Sequence, residues 1–113
     1  MAKSLFYPCP CCGFPTLPSH DNYEICGICW WEDDGRDDHN AAEIVGGPNQ
    51  GYSLETARRN FANHGHMYDD GQGNEVVNSP SPQRLKLLAY VNAVSAGETT
   101  LDETLLQELL DTA

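Results

Sequence analysis

Basic side chains are scarce in this chain. Its 113 residues include 6 Lys and Arg against 17 Asp and Glu, which gives a formal net charge of −11 at pH 7. Affinity for nucleic acid comes largely from Lys and Arg that neutralise phosphates, and the few basic residues here form no stripe. The composition therefore argues against nucleic acid as a partner.

The sequence also lacks a long apolar run. Residues 1 to 7, MAKSLFY, contain only a short apolar patch, so we expect neither a signal peptide nor a membrane span there. A cytoplasmic protein with no membrane partner is the expectation. In that compartment thiols stay reduced, and clustered cysteines bind metal more often than they form disulfides.

Aliphatic side chains are few in the first forty residues. A segment that small cannot bury enough apolar surface to offset its loss of chain entropy without an added constraint. A structural metal supplies such a constraint, worth on the order of 10 kcal/mol in small zinc peptides. The N-terminal segment is therefore expected to be ordered by a metal ion.

Five cysteines, all between residues 9 and 29, supply the ligands for such an ion. Cys9 and Cys12 form one C-x-x-C hook, and Cys26 and Cys29 form a second. Two intervening residues let the backbone turn so that both sulfurs of a hook face one ion. Four thiolates fill a tetrahedral site, which predicts structural Zn²⁺ rather than catalytic zinc. Iron held by the same ligands is the alternative.

Cys11 is the fifth cysteine. It could replace Cys12 as a ligand, but Cys12 gives the two-residue spacing and is followed by Gly13, which suits a tight turn. A nucleophilic role is a second alternative, since a thiol beside the metal could be exposed. The negative charge of metal-bound thiolates would disfavour another thiolate nearby, which argues against that role.

A tryptophan pair and three acidic residues follow the second hook; they are Trp30, Trp31, Glu32, Asp33 and Asp34. We expect one tryptophan to cover the metal, and the carboxylates to cap a turn or to bind the amides of Gly47 and its neighbours. Asp33 or Asp34 is also expected to pair with Arg58. Neighbouring side chains of a strand face opposite ways, so the other tryptophan is expected to be exposed. These five residues are therefore candidate contacts for a basic protein partner. Residues 32–40 are predicted to be an acidic, polar linker.

Helical signals occupy the second half of the chain. Ser53 is a good N-cap, and the apolar spacing that follows it predicts a helix over about 54–63. Residues 67–80 are rich in Gly, Asn, Asp and Ser and are predicted to be a loop.

The last segment, residues 81–113, predicts a helical hairpin. Ser81 and Pro82 suit the start of its first helix, and a capping box from Thr100 to Glu103 is expected to open its second. Its leucines would pack on the N-terminal segment or on another copy of the chain, so a homo-oligomer through these helices is one alternative.

Several motifs occur in a defined order: CPCCG at 9–13, YEIC at 23–26, WEDDG at 31–35, GPN at 47–49 and ARRNF at 57–61. Together they resemble the bacterial cysteine-rich CPCC family. The resemblance covers roughly residues 7–65, and residues after 65 show no family pattern. It implies a small bacterial metal-binding protein and no particular activity.

These signals predict a small α+β metal-stabilised domain. A zinc ribbon, with short antiparallel strands and two Cys knuckles, is expected over residues 1–66, ahead of the loop and the hairpin. The expected function is non-enzymatic, with zinc fixing the fold and the acidic surface binding a basic region of a protein partner.

Two alternative functions remain. An acidic inhibitor or immunity-type protein, directed against a basic nucleic-acid-binding protein, fits the charge equally well. A thiol- or metal-dependent enzyme would instead use Cys11 or a second metal site built from the cluster His64, His66, Asp69 and Asp70.

Overall fold

The computed structural model describes residues 6–113. The chain divides into two compact units, the first ending at Gln72 and the second spanning Gly73–Ala113. This division falls inside the segment 67–80 that was predicted to be a loop. None of the helices formed by residues 6–113 combines the length and apolar character needed to cross a membrane.

The first unit begins with a hairpin that contains the first cysteine hook. Strands β1 (Tyr7–Pro8) and β2 (Pro15–Leu17) pair antiparallel. Between them, the Cys9 amide donates to the Phe14 carbonyl at 2.9 Å, and the Gly13 amide donates to the Cys9 carbonyl at 2.8 Å. The hook is therefore the turn of the hairpin.

The second hook repeats the same backbone hydrogen bonds. The Cys26 amide donates to the Trp31 carbonyl and the Trp30 amide to the Cys26 carbonyl, each at 2.9 Å. Trp30, with φ +70°, occupies the position that Gly13, with φ +81°, occupies in the first hook. The strand predicted before Cys26 is reduced to one antiparallel bridge between Ile25 and Glu32.

Two short 3-10 helices, Asp38–Asn40 and Gly47–Asn49, lead to helix α1 (Leu54–His64). The Ser53 hydroxyl accepts a hydrogen bond from the Thr56 amide at 3.0 Å and so caps α1, as the sequence predicts. Gly65 ends the helix in the left-handed conformation, with φ +82°. The helix is one residue longer than predicted.

The core of the first unit combines sulfur, aromatic and aliphatic side chains. Its most completely buried members are Cys9, Leu17, Cys26, Ile28, Cys29, Trp31, Leu54, Ala57 and Met67. Cysteine sulfurs thus occupy the place that larger aliphatic residues hold in an ordinary domain, which agrees with the low aliphatic content of this segment.

The second unit consists of three helices: α2 (Glu75–Asn78), α3 (Pro82–Ser95) and α4 (Glu103–Thr112). Helices α3 and α4 pack against each other as a hairpin. The single turn of α2 lies within the segment predicted to be a loop. The Ser81 hydroxyl caps α3 by accepting from the Arg84 amide at 3.1 Å.

The predicted cap of the last helix is wrong. Asp102, not Thr100, lies at the N-cap of α4, and its carboxylate accepts from the amides of Thr104 at 3.0 Å and Leu105 at 3.3 Å. A carboxylate one residue before the helix satisfies the free amides of the first turn and favours the positive end of the helix dipole.

Candidate metal centre

The four cysteines of the two hooks come together at one point. The sulfurs of Cys9, Cys12, Cys26 and Cys29 all lie within 4.8 Å of one another. Two of the distances, Cys9–Cys29 and Cys12–Cys26, are 3.6 Å. A tetrahedral ion with bonds to sulfur of about 2.3 Å has sulfur–sulfur edges of about 3.8 Å. The donor set therefore fits one tetrahedral metal ion.

Burial separates this centre from solvent. Cys9 is 1% exposed, Cys26 and Cys29 are fully buried, and Cys12 is partly buried. Because the four sulfurs fill the positions of a tetrahedron, the arrangement has the character of a structural site rather than of a catalytic one with an open position.

The Cys26 sulfur receives hydrogen bonds from two groups that are not cysteines. The Thr16 hydroxyl donates to Cys26 Sγ at 3.0 Å, and the Ile28 amide donates to the same sulfur at 3.4 Å. Donors of this kind stabilise a thiolate and orient it toward a metal. Cys26 is thus the ligand most strongly prepared for the charged form.

The pKa of Cys26 is shifted in the opposite direction from those of the other three ligand thiols. Although burial alone would raise it, the pKa of Cys26 lies well below its ordinary value because the other ligand cysteines and Thr16 hydrogen-bond to its sulfur. Burial raises the pKa values of Cys12 and Cys29 well above the ordinary value. Hydrogen bonds with neighbouring cysteines raise the pKa of Cys12 further, whereas for Cys29 those with Cys11 and Cys26 raise it and those with Cys12 and Cys9 lower it. The pKa of Cys9 is also raised: its hydrogen bond with Cys12 lowers it, but those with Cys26 and Cys29 outweigh that effect.

This division of pKa values has a simple electrostatic meaning. Four negative sulfurs at these distances repel one another in a buried site, so the polypeptide alone disfavours the ionisation of all four. A divalent cation displaces the remaining protons and compensates the charge of all four. The chemistry of the donor set therefore suits a bound cation.

Cys11 lies outside this group of four. Its side chain is buried, with 7% exposure, and it hydrogen-bonds to Cys29, an interaction that contributes to the raised pKa of Cys29. The alternative of an exposed, nucleophilic thiol at Cys11 is not supported, because this side chain is buried. The turn of the first hook faces Cys11 inward, where a bulky electrophile cannot reach it.

The acidic segment after the second hook contains a buried ion pair that the sequence analysis missed. Asp34 and Arg36, with side chains 5% and 3% exposed, are joined by a 2.8 Å contact from Nη2 to Oδ2. Arg36 Nη1 also donates to the carbonyls of Glu43 at 2.7 Å and Tyr52 at 3.0 Å, and its guanidinium lies 4.8 Å from the ring centre of Trp31.

Residues 32–40, predicted to be an acidic, polar linker, therefore contain side chains that are buried in the first unit. The only hint in the sequence was a single arginine inside an acidic run. This signal is weak, because ion pairs on a protein surface produce the same sequence pattern as buried ones. The guanidinium is held by a carboxylate, two carbonyls and an aromatic face, so its burial leaves few donors unsatisfied. The pKa of Asp34 is lowered: burial opposes this, but hydrogen bonds from Arg36 and Asn49 outweigh it.

Asp33 is fully buried and caps turns, as one of the expectations stated. Its carboxylate accepts from the amides of Asp21 at 2.8 Å and Gly35 at 3.3 Å. Asn49 connects this region to the second 3-10 helix, because its side chain accepts from the Glu32 amide at 3.1 Å and donates to the Glu32 carbonyl at 2.7 Å.

The predicted pairing of Arg58 with Asp33 or Asp34 is wrong. Arg58 Nη2 instead lies 2.6 Å from Asp38 Oδ1, and its Nε donates to the Pro10 carbonyl at 2.8 Å. The Asp34 carboxylate pairs instead with Arg36, which is much closer to it in the chain than Arg58 is. Arg58 thereby connects α1 to the first hook.

Burial also limits which of the five candidate contact residues a partner can reach. Trp31 and Asp33 are fully buried and Asp34 is nearly so, which leaves Trp30 and Glu32 partly exposed. Trp31 is the tryptophan that packs inside. The role of this segment in binding a partner stays a prediction.

The histidine cluster does not assemble a second metal site. The rings of His64 and His66 lie 5.1 Å apart, but His66 Nδ1 accepts from the Tyr68 amide, and Asp69 accepts from the Asn60 side chain at 3.1 Å. Among residues 6–113, the four hook cysteines form the group in which three or more metal-ligating side chains meet.

Fold and site together define a small protein with two antiparallel strands, several helices and four cysteines positioned to bind a metal ion. The chain belongs to the cysteine-rich CPCC family, whose model matches residues 7–83. The match continues past residue 65, so the expectation that the family pattern ends there is wrong. No curated protein and no solved structure is significantly similar to the chain.

Proposed function

We propose that this protein binds one structural Zn²⁺ through Cys9, Cys12, Cys26 and Cys29 in a zinc-ribbon-like fold, and acts as a non-enzymatic protein-interaction module in the bacterial cytoplasm. The convergence of four sulfurs within 4.8 Å carries the metal part of this proposal. The identical hydrogen bonds of the two hooks support the comparison with a ribbon, in which two similar turns hold one ion.

Zinc is proposed over iron because four-thiolate sites in small ribbons most commonly hold zinc, whereas a rubredoxin-like iron site uses the same ligands. The ion would act on stability alone. It supplies the constraint that a small apolar core lacks, and four thiolates around a divalent ion add about two negative charges to the protein.

The interaction role is supported by charge and by the exposed apolar residues of the first unit. The formal net charge of −11 favours a partner with a basic surface. Tyr23 and Ile25 are 61% and 47% exposed, and the bridge between Ile25 and Glu32 sets an apolar residue beside an acidic one. A partner contact at this edge would combine apolar burial with charge attraction.

Trp30 adds a second line of support. The equivalent position of the first hook is a glycine, and a non-glycine residue at φ +70° costs roughly 1–2 kcal/mol in backbone strain. Trp30 is a bulky aromatic residue that is partly exposed at this strained position, which supports a role as a contact residue.

Association through the C-terminal helices is a further part of the proposal. Leu85 of α3 and Leu105 of α4 are 53% and 39% exposed, which leaves apolar surface on the hairpin for a second copy.

An acidic inhibitor of a basic nucleic-acid-binding protein is the second candidate function, favoured by the charge alone. Its binding would weaken steeply as salt is raised.

Metal content tests the proposal directly. Elemental mass spectrometry of untagged protein should find one zinc per chain, lost in Cys9→Ser and Cys26→Ser. Cys11→Ser is the matched control, since it removes a buried cysteine of the same hook and should keep the ion. Protein without metal, or loss of metal on changing Cys11 alone, would contradict the ligand assignment.

A further inference from the structure

We propose that Thr16 is a positioning residue for the metal centre: its hydroxyl donates to the Cys26 sulfur and reduces the electron density that this sulfur presents to the ion. The inference rests on metal binding by the four cysteines. It concerns a residue outside the hooks, and it assigns the hydroxyl a chemical effect beyond packing.

The geometry is fixed by the hairpin. Thr16 is the central residue of β2, whose neighbour Leu17 is fully buried, and Thr16 itself is 9% exposed. Its Oγ1 lies 3.0 Å from the Sγ atom of Cys26, which belongs to the second hook. Because β2 is paired with β1, the hydroxyl is held at this distance by backbone structure.

A hydroxyl that donates to a thiolate changes the charge on its sulfur. A hydrogen bond to a charged sulfur in a buried site withdraws negative charge from it, which weakens its donation to the metal. Cys26 also accepts from the Ile28 amide at 3.4 Å, so two donors converge on this single ligand. The amide is present in any sequence, whereas the hydroxyl depends on residue 16.

The hydrogen bond from Thr16 also affects the charge of the whole metal centre. Four thiolates around a divalent ion leave about two excess negative charges in a site shielded from water. The hydroxyl of Thr16 offsets part of that charge from within the core. Charge transfer from the Cys26 sulfur to a bound metal should therefore require more energy than it would without the hydroxyl.

Two pairs of variants isolate the hydroxyl. Thr16→Val replaces it with a methyl group of similar shape, and Thr16→Ser keeps it. If Val at this position prevents folding, Thr16→Ala and Thr16→Ser still differ by the hydroxyl alone. Thr56→Val is the control for the same chemical change, because the Thr56 hydroxyl hydrogen-bonds to the Ser53 hydroxyl and not to a cysteine sulfur.

Bound Co²⁺ reports on the charge of the sulfurs that bind it. In the Co²⁺-loaded protein, the sulfur-to-cobalt charge-transfer band should shift to lower energy in Thr16→Val and stay in place in Thr16→Ser and Thr56→Val.

The outcomes separate this inference from the proposed function. Wild-type protein that binds neither cobalt nor zinc would overturn both. Wild-type protein that binds the ion, with an unchanged band in Thr16→Val, would overturn the inference alone. So would a Thr16→Ser variant whose band lies at the same energy as that of Thr16→Ala.

Discussion

Removal of the Arg36 guanidinium should be among the most damaging single changes in the first unit. Arg36→Met keeps a stem of similar length and deletes the cation. It would leave the Asp34 carboxylate, 5% exposed, without its charge partner, and two carbonyls, of Glu43 and Tyr52, without a donor. Removing one member of a buried ion pair costs about 3–5 kcal/mol, because the remaining charge stays buried.

Because small domains are stable by only about 5–15 kcal/mol, a loss of about 4 kcal/mol removes a large share of the total. The contact with Trp31, at 4.8 Å from its ring centre, would be lost as well. Arg36→Lys keeps the charge but lacks the planar fork that reaches the carboxylate and both carbonyls together. Its cost should lie between those of Met and of the unmodified protein.

Urea unfolding of the metal-loaded protein, followed by tryptophan fluorescence, measures these differences as shifts in midpoint. Arg59→Met is the matched control. The Arg59 side chain is 65% exposed and lies 3.9 Å from Glu55, a surface pair worth about 0–1 kcal/mol. If Arg36→Met costs no more than Arg59→Met, the ion pair is not buried in solution and the reasoning fails.

Two further predictions follow from the first unit. A zinc chelator should remove the ion and expose Trp31, which is fully buried, so its fluorescence should shift to the red and return when zinc is added back; fluorescence that stays constant after metal loss would contradict a metal-dependent fold. Gly35→Ala should cost about 1–2 kcal/mol in thermal unfolding, because Gly35 has φ +92° and the new Cβ would contact Asp21 Oδ1. Gly51→Ala, in open space, is its control, and an equal cost for both would count against the left-handed backbone at Gly35.

The metal ligands could be predicted from the sequence because their signal is local. Two residues between Cys9 and Cys12, and again between Cys26 and Cys29, set the turn that brings each pair of sulfurs together. Helix α1 was equally accessible, since its cap at Ser53 and its end at Gly65 depend on nearby residues. Local rules fix such elements without knowledge of the rest of the fold.

The environment of the acidic segment could not be predicted in the same way. The alternation rule for strands assumes extended backbone, and the left-handed conformation of Trp30 interrupts it directly before Trp31. Which tryptophan packs inside therefore depends on the turn of the hook. The pairing of Asp34 with Arg36 depends on carbonyls from a distant loop, which no short pattern reveals.

These contacts explain why α1 belongs to the same unit as the metal centre. The second hook fixes Trp31, Arg36 lies over its ring, and Arg36 binds the Tyr52 carbonyl just before α1 begins. From the other side, Arg58 of α1 binds the Pro10 carbonyl within the first hook. Both hooks thus hold the helix through arginine-to-carbonyl hydrogen bonds, so order imposed by a metal ion on the hooks should extend to α1 in one cooperative unit.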